Sequence, residues 1–152
     1  MPSSSVSRPE PLACTCFRLR RAAREISKIY DQALAGVGLS LNEYSILRHS
    51  RSEPRVLGEL ALVLGMDRST LTRNLKPLIE SGWLVQTPGL DARQRQVAIT
   101  AAGRARLRLA RPHWQRAQLQ VQALFGEDRT RALHQDLDEL HERYAAQFGS
   151  PA

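Results

Sequence analysis

Apolar residues recur along most of this chain at steps of three and four. Leu19, Ala22, Ala23, Ile26, Ile29, Tyr30, Ala33 and Leu34 form one stripe, which predicts an amphipathic helix over 12–35 that Gly36 and Gly38 stop. In LSLNEYSILRHS, Ser40 stands as an N-cap with Glu43 three residues on, a capping box. Leu41, Tyr44 and Leu47 then share a face, so a second helix is expected over 41–50. RSEPR reads as a loop. VLGELALVLGM predicts a short third helix with Leu57, Leu60, Ala61 and Leu64 inward and Gly65 closing it. Asp67 is placed to cap a fourth helix over 68–81, which Gly82 ends. WLVQT and QVAIT are short β-prone runs on either side of PGLDARQR, a turn signal with a charged tip, and predict a hairpin. Thr100 then caps a long helix. In it Leu107, Ala110, Trp114, Ala117, Val121 and Leu124 repeat as the seam of a helix lying along another, and Pro112 predicts a kink. A last helix from about 128 carries Leu133, Leu137, Leu140, Tyr144 and Phe148 on one side.

The fourth helix has an unusual second face. Leu71, Leu75, Leu78 and Ile79 make its buried stripe. Arg68, Ser69, Thr70, Thr72, Arg73 and Lys76 provide hydroxyls and bases on or beside the other side. Such a face suits a DNA major groove: arginine matches guanine O6/N7, and short hydroxyls reach phosphates or base edges without filling the groove. A solvated helix face is the plainer alternative. The flanking short helix and the basic hairpin tip argue against it, because helix, short helix, tight turn, polar-faced helix and hairpin in that order spell a winged helix-turn-helix. Pro77 removes a hydrogen bond to the Arg73 carbonyl and reads as a bend near the C-terminal end, or as a kink without a role.

Composition sharpens this picture. The chain has 152 residues, enough for about one domain, and 22 Lys+Arg against 15 Asp+Glu give a net charge of +7. Nearly all of that positive charge is arginine, which favours a polyanionic partner, nucleic acid before membrane. No apolar run approaches a membrane span, and MPSSSVSRPEP lacks the core of a signal peptide, so a cytoplasmic protein with a disordered tail at 1–11 is expected.

LGELALVLGMDRSTLTRNLKPLIESGWLV, followed by DARQRQVAITAAG, resembles the MarR (multiple antibiotic resistance regulator) family of bacterial transcription regulators. The resemblance runs over about 12–148. Its most specific parts are DRSTLTRNL and the spacing of Asp91, Arg93, Val97, Ile99, Thr100 and Gly103. It implies a mainly α fold: a winged helix-turn-helix with N- and C-terminal dimerisation helices and a small two-stranded β wing. The dimerisation region would be 12–36 and 104–152, and the DNA-binding domain 37–103. It implies a homodimer on a palindromic operator in double-stranded DNA, with Arg93 inserted in the minor groove, Asp91 bracing the wing and Arg95 a second wing contact. Gln86 and Thr87 depart from the family, which often has an arginine after the first wing strand. The heptad-like seam supports the two-chain arrangement independently, since such a stripe is not left in water.

The resemblance also implies an effector pocket between the dimer helices and the winged domain, with small phenolic or aromatic carboxylates as ligands. Arg20, Tyr44, Arg48 and His49 come from segments expected to line it, each equally readable as a surface or hinge residue. Cys14 and Cys16 stand beside Arg18, Arg20 and Arg21; a Cys-x-Cys pair suits an oxidant or a soft metal, or simply a helix start. Two sulfurs are half a zinc site, and His49, His113, His134 and His141 are scattered, so no metal and no cofactor is expected. The leading function is a ligand-released DNA-binding repressor. The second is the same reader switched by redox or metal chemistry at Cys14/Cys16. The third, a thiol-dependent enzyme, lacks a nucleophile, base and orienting group as a set.

Overall fold

Ser40 begins α2 (Leu41–His49) with the reciprocal bonds of a capping box: its Oγ accepts from the Glu43 N–H at 3.2 Å, and Glu43 Oε2 accepts from the Ser40 N–H at 2.8 Å. The structure, a computed structural model, describes residues 14–91 and 93–149. The tail expected at 1–11 and the first residues of the helix expected from 12 lie outside these. Before α2 runs α1 (Thr15–Ala35), and after it come β1 (Arg55–Val56), α3 (Leu57–Leu64), α4 (Arg68–Glu80), β2 (Leu84–Pro88), β3 (Arg95–Ile99), α5 (Ala101–Phe125) and α6 (Glu127–Phe148). The chain is a winged helix-turn-helix flanked by long helices. Among the described residues no helix is long and apolar enough to cross a membrane.

The wing is larger than the sequence predicts. Arg55, expected in a loop, and Val56, expected at the start of the third helix, form a strand on the free edge of β3, pairing with Val97 and Gln96. The sheet is therefore three-stranded and antiparallel, in the order β1-β3-β2, rather than a two-stranded hairpin. A strand of two residues shows no alternation to read; the open edge of β3 creates it. Gln86 and Thr87 lie inside β2, opposite Val97 and Gln96.

A single core unites the helix-turn-helix with the start of α5. Leu34, Ile46, Leu47, Leu60, Leu71, Leu78, Leu84 and Val97 are fully enclosed in it. Gly65 ends α3 at φ 61°, a left-handed conformation that costs glycine nothing, and so sets the turn into α4. Behind the wing, Thr100 caps α5 by accepting from the Gly103 N–H at 3.0 Å and donates to the Gly82 carbonyl at 2.6 Å. A Cβ on Gly103 would lie 2.1 Å from the Trp83 carbonyl oxygen. Thr100 and Gly103 thus lock α5 onto the chain just beyond α4.

The seam on α5 is divided. Ala110 and Ala117 are fully buried and α1 packs along α5. This part of the stripe is buried within one chain. Leu124 stays exposed, as do Leu133, Leu137, Leu140, Tyr144 and Phe148 of α6. The long helix continues unbroken through Pro112, and α4 through Pro77.

Candidate nucleic-acid interface and the arginine cleft beside it

The apolar stripe of α4 fixes which way its polar side looks. Leu71, Leu75 and Leu78 are buried, so Arg68, Ser69, Thr72, Arg73 and Lys76 face outward and are exposed. Asp67 occupies the N-cap position in extended conformation, yet its side chain makes no capping bond. Its Oδ2 accepts instead from the Thr70 hydroxyl at 3.1 Å. Thr70 Oγ1 also accepts from Arg73 Nη2 at 3.4 Å, a long contact. Thr72 donates its hydroxyl to the Arg68 carbonyl at 2.8 Å. With its proton so used, Thr72 offers lone pairs, which suit the amino group of cytosine or adenine better than a phosphate. Lys76 reaches Glu80 at 3.9 Å, an exposed pair of little strength.

The fold brings α4 and the wing together. Arg68 and Thr72 from α4, with Arg93 and Arg95 from the wing, line one groove of about 270 Å³ whose inner side includes Gly58 and Leu71. Sequence reading missed Gly58. A Cβ there would come 3.0 Å from Arg68 Nη2, so the missing side chain gives the guanidinium its room. Ser69, Thr70, Arg73 and Lys76 are not on that groove's walls.

Local bonds shape the wing tip. The Gly89 N–H donates to the Gln94 carbonyl at 2.7 Å, and the Gln94 N–H to the Asp91 carbonyl at 2.8 Å. Asp91 Oδ1 accepts from the Arg93 N–H at 3.0 Å, leaving the exposed Arg93 side chain out of that bond. A Cβ on Gly89 would press on Gln94 at 2.9 Å, so glycine lets the two strands close.

A second concavity, about 450 Å³, opens between α2 and α5. Tyr44, Leu107 and Trp114 give it an apolar and aromatic surface, while Arg48, Arg51, Arg104, Arg108 and Arg111 supply charge. Arg48 lies over the Trp114 ring at 5.0 Å, a cation–π contact. Arg104 Nη1 donates to the Arg51 carbonyl at 3.1 Å. Of the four effector residues expected from the sequence, Tyr44 and Arg48 line this cleft; Arg20 and His49 do not. Arg20 is exposed ten residues, roughly 15 Å, along α1 from Tyr30, the residue of that helix that meets Trp114. His49 points elsewhere, its Nδ1 2.8 Å from the Ser45 carbonyl oxygen. Sequence reading missed Arg104, Arg108 and Arg111 here. Their spacing of four and three was the available signal.

Cys14 and Cys16 are both exposed at the start of α1. Cys14 is its N-cap, and its Sγ accepts from the Phe17 N–H at 3.4 Å. Among the described residues no three of His, Cys, Asp and Glu gather as a metal site.

Known proteins share this arrangement. No protein-family model matches the chain. Over 84 residues it is 31% identical to an uncharacterised helix-turn-helix transcriptional regulator, YwoH of Bacillus subtilis; the match covers 55% of this chain and 61% of that relative. The structure of the M. tuberculosis transcriptional regulator MosR in complex with DNA superimposes with a TM-score of 0.78 at 35% identity, over 89% of this chain and 98% of MosR. A MarR mutant of E. coli complexed with operator DNA shares the fold at 20% identity, with a TM-score of 0.74 over 82% of this chain and 91% of its own. These relatives are transcriptional regulators and not enzymes. With the recognition helix, the arginine-tipped wing and the flanking helices all in place, the chain belongs to the MarR family of DNA-binding transcriptional regulators.

Proposed function

We propose that the chain is a cytoplasmic repressor that binds a palindromic operator as a homodimer and is released by a small aromatic or phenolic acid. The groove shared by Arg68 and Thr72 of α4 and by Arg93 and Arg95 of the wing carries this reading. It lets one reader hold the DNA backbone while α4 enters the major groove and Arg93 reaches the minor groove. Residues 37–103 act as the reader, and 12–36 with 104–152 as the dimerisation region. The exposed apolar side of α6 supports a second copy, since a stripe of this length is poorly left in water. Ser69, Thr70, Arg73 and Lys76 complete the DNA face, and Asp91 holds the wing tip. The effector enters the cleft of Tyr44 and Arg48, between the reader and α5. It releases DNA by binding the DNA-incompetent arrangement better, and DNA must then weaken the effector equally.

Salt dependence tests the DNA reading. Three groove arginines per protomer neutralise on the order of six phosphates in a dimer, a slope of about −5 for log affinity against log salt. A near-flat line on a palindromic duplex sinks the proposal.

A second reading rests on the Cys14 cap. Hydrogen peroxide would take two electrons from the Cys14 and Cys16 thiols, joining the sulfurs and leaving as two waters with both thiol protons. That bond would compete with the Cys14 contact to the Phe17 N–H and so disturb the start of α1. Peroxide-dependent release of DNA by wild type but not by a Cys14→Ser, Cys16→Ser double variant establishes this switch; equal release by both rules it out.

A further inference from the structure

We infer that the cleft between α2 and α5 takes an aromatic polyanion, a planar ring bearing at least two negative charges, in preference to a simple monocarboxylate. The inference rests on the effector reading above and narrows its ligand. Its basis is a charge imbalance. Five guanidinium groups line the cleft, from Arg48, Arg51, Arg104, Arg108 and Arg111, and no carboxylate does. Among the described residues none of the five has an ion-pair partner. Two of the three arginines of α6 are treated differently: Arg131 pairs with Glu127 and Asp128, and Arg143 with Glu139. The cleft thus gathers like charges and leaves their neutralisation to something outside the chain.

The geometry says what kind of anion. Arg104, Arg108 and Arg111 repeat at steps of four and three, so they share one side of α5 over roughly 10 Å. One carboxylate can engage a single guanidinium in a fork of two bonds, but it cannot span that row. Arg48 is held over Trp114, and Arg104 gives one N–H to the Arg51 carbonyl. Arg51, Arg108 and Arg111 remain with all donors uncommitted to the described protein. An anion with two negative charges and three acceptor oxygens on one ring substituent, such as a phosphate monoester, can engage more than one of them. The ring requirement comes from the rest of the lining: Tyr44, Leu107 and Trp114 bring apolar and aromatic surface beside the arginines, and a volume of about 450 Å³ falls within the usual range for small-molecule sites.

Titration calorimetry on the full chain at pH 7.5 tests this with three probes: benzoate, phenyl phosphate and inorganic pyrophosphate. Phenyl phosphate should bind about tenfold tighter than benzoate, and tighter than pyrophosphate, which has charge without a ring. An Arg108→Gln, Arg111→Gln double variant should lose that preference, its affinity for phenyl phosphate falling to that for benzoate. Both residues are exposed, and a matching thermal midpoint confirms that the variant is folded; Arg51→Gln should show the same loss in smaller degree. Equal affinity for benzoate and phenyl phosphate overturns the polyanion while leaving the effector reading intact. Failure of both aryl anions to bind overturns the two together. Pyrophosphate binding as tightly as phenyl phosphate removes the aromatic requirement. If the double variant loses affinity for a mixed-sequence DNA duplex as strongly as Arg93→Ala does, the cleft serves DNA and the inference fails.

Discussion

Tyr44 and Trp114 stack with their ring centroids 6.0 Å apart and their planes inclined by 16°. The contact joins α2 of the reader to the middle of α5, and Tyr30 of α1 meets the same indole at 6.2 Å. Three helices therefore share one aromatic junction beside the arginine cleft. Tyr44 is almost wholly enclosed, so Tyr44→Ala should cost roughly 3–5 kcal/mol in urea denaturation, as large aromatic truncations in cores do. A loss below about 1 kcal/mol would mean that the junction carries little of the stability.

Gly103 is required by the Trp83 carbonyl rather than by its own helix. In an open helix, Gly→Ala stabilises by about 1 kcal/mol. Here the added carbon would fall 2.1 Å from that oxygen and 2.8 Å from Ile99 Cγ1. Gly103→Ala should destabilise by roughly 1–3 kcal/mol or more, and should weaken DNA binding by displacing the strands of the wing from α4. An alanine variant with a raised denaturation midpoint would contradict the packing argument.

Arg73 and Lys76 should separate by what they recognise. Arg73→Ala should relax sequence preference and cost roughly 1–3 kcal/mol on the cognate site if it reads guanine. Lys76, already 3.9 Å from Glu80, should act as a point charge, so Lys76→Ala should weaken all duplexes alike. The comparison is made on cognate and scrambled DNA. Identical losses on both for Arg73→Ala would reassign it to phosphate.

Alkaline pH should expose the burial of Tyr30. Desolvation pushes its phenol above the ordinary value of 10.0, and its hydroxyl donates to Gln118 Oε1 at 2.5 Å. Below pH 10 the phenol is neutral in both folded and unfolded chains, so its contribution is fully present. Above it the unfolded chain loses the proton first, the folded chain binds more protons, and stability falls as pH rises through the folded value. Tyr30→Phe should cost about 1 kcal/mol at pH 8 through the lost hydrogen bond, and should flatten the decline from pH 10 upward. Equal slopes in both proteins would locate the alkaline sensitivity elsewhere.

Periodicity and end signals determined the elements. Ser40 with Glu43, Gly65, Gly82 and Thr100 state helix ends locally, through bonds and conformations within a few residues, and Leu71, Leu75 and Leu78 state which side of α4 is buried. The basic and hydroxylic face followed from that stripe without any tertiary contact. What the chain could not declare locally were relationships between segments distant in sequence. Arg55 and Val56 became a strand because β3 had an open edge. Ala110 and Ala117 are buried within their own chain, whereas periodicity marks a stripe without naming its partner. Tyr44 and Arg48 reached the cleft while His49, one residue further round α2, did not, since a step of about 100° on a helix redirects a side chain and only packing decides which direction meets α5. The arginine stripe on α5 was written in the sequence; its convergence with Arg48 and Arg51 was decided by the docking of α2 on α5.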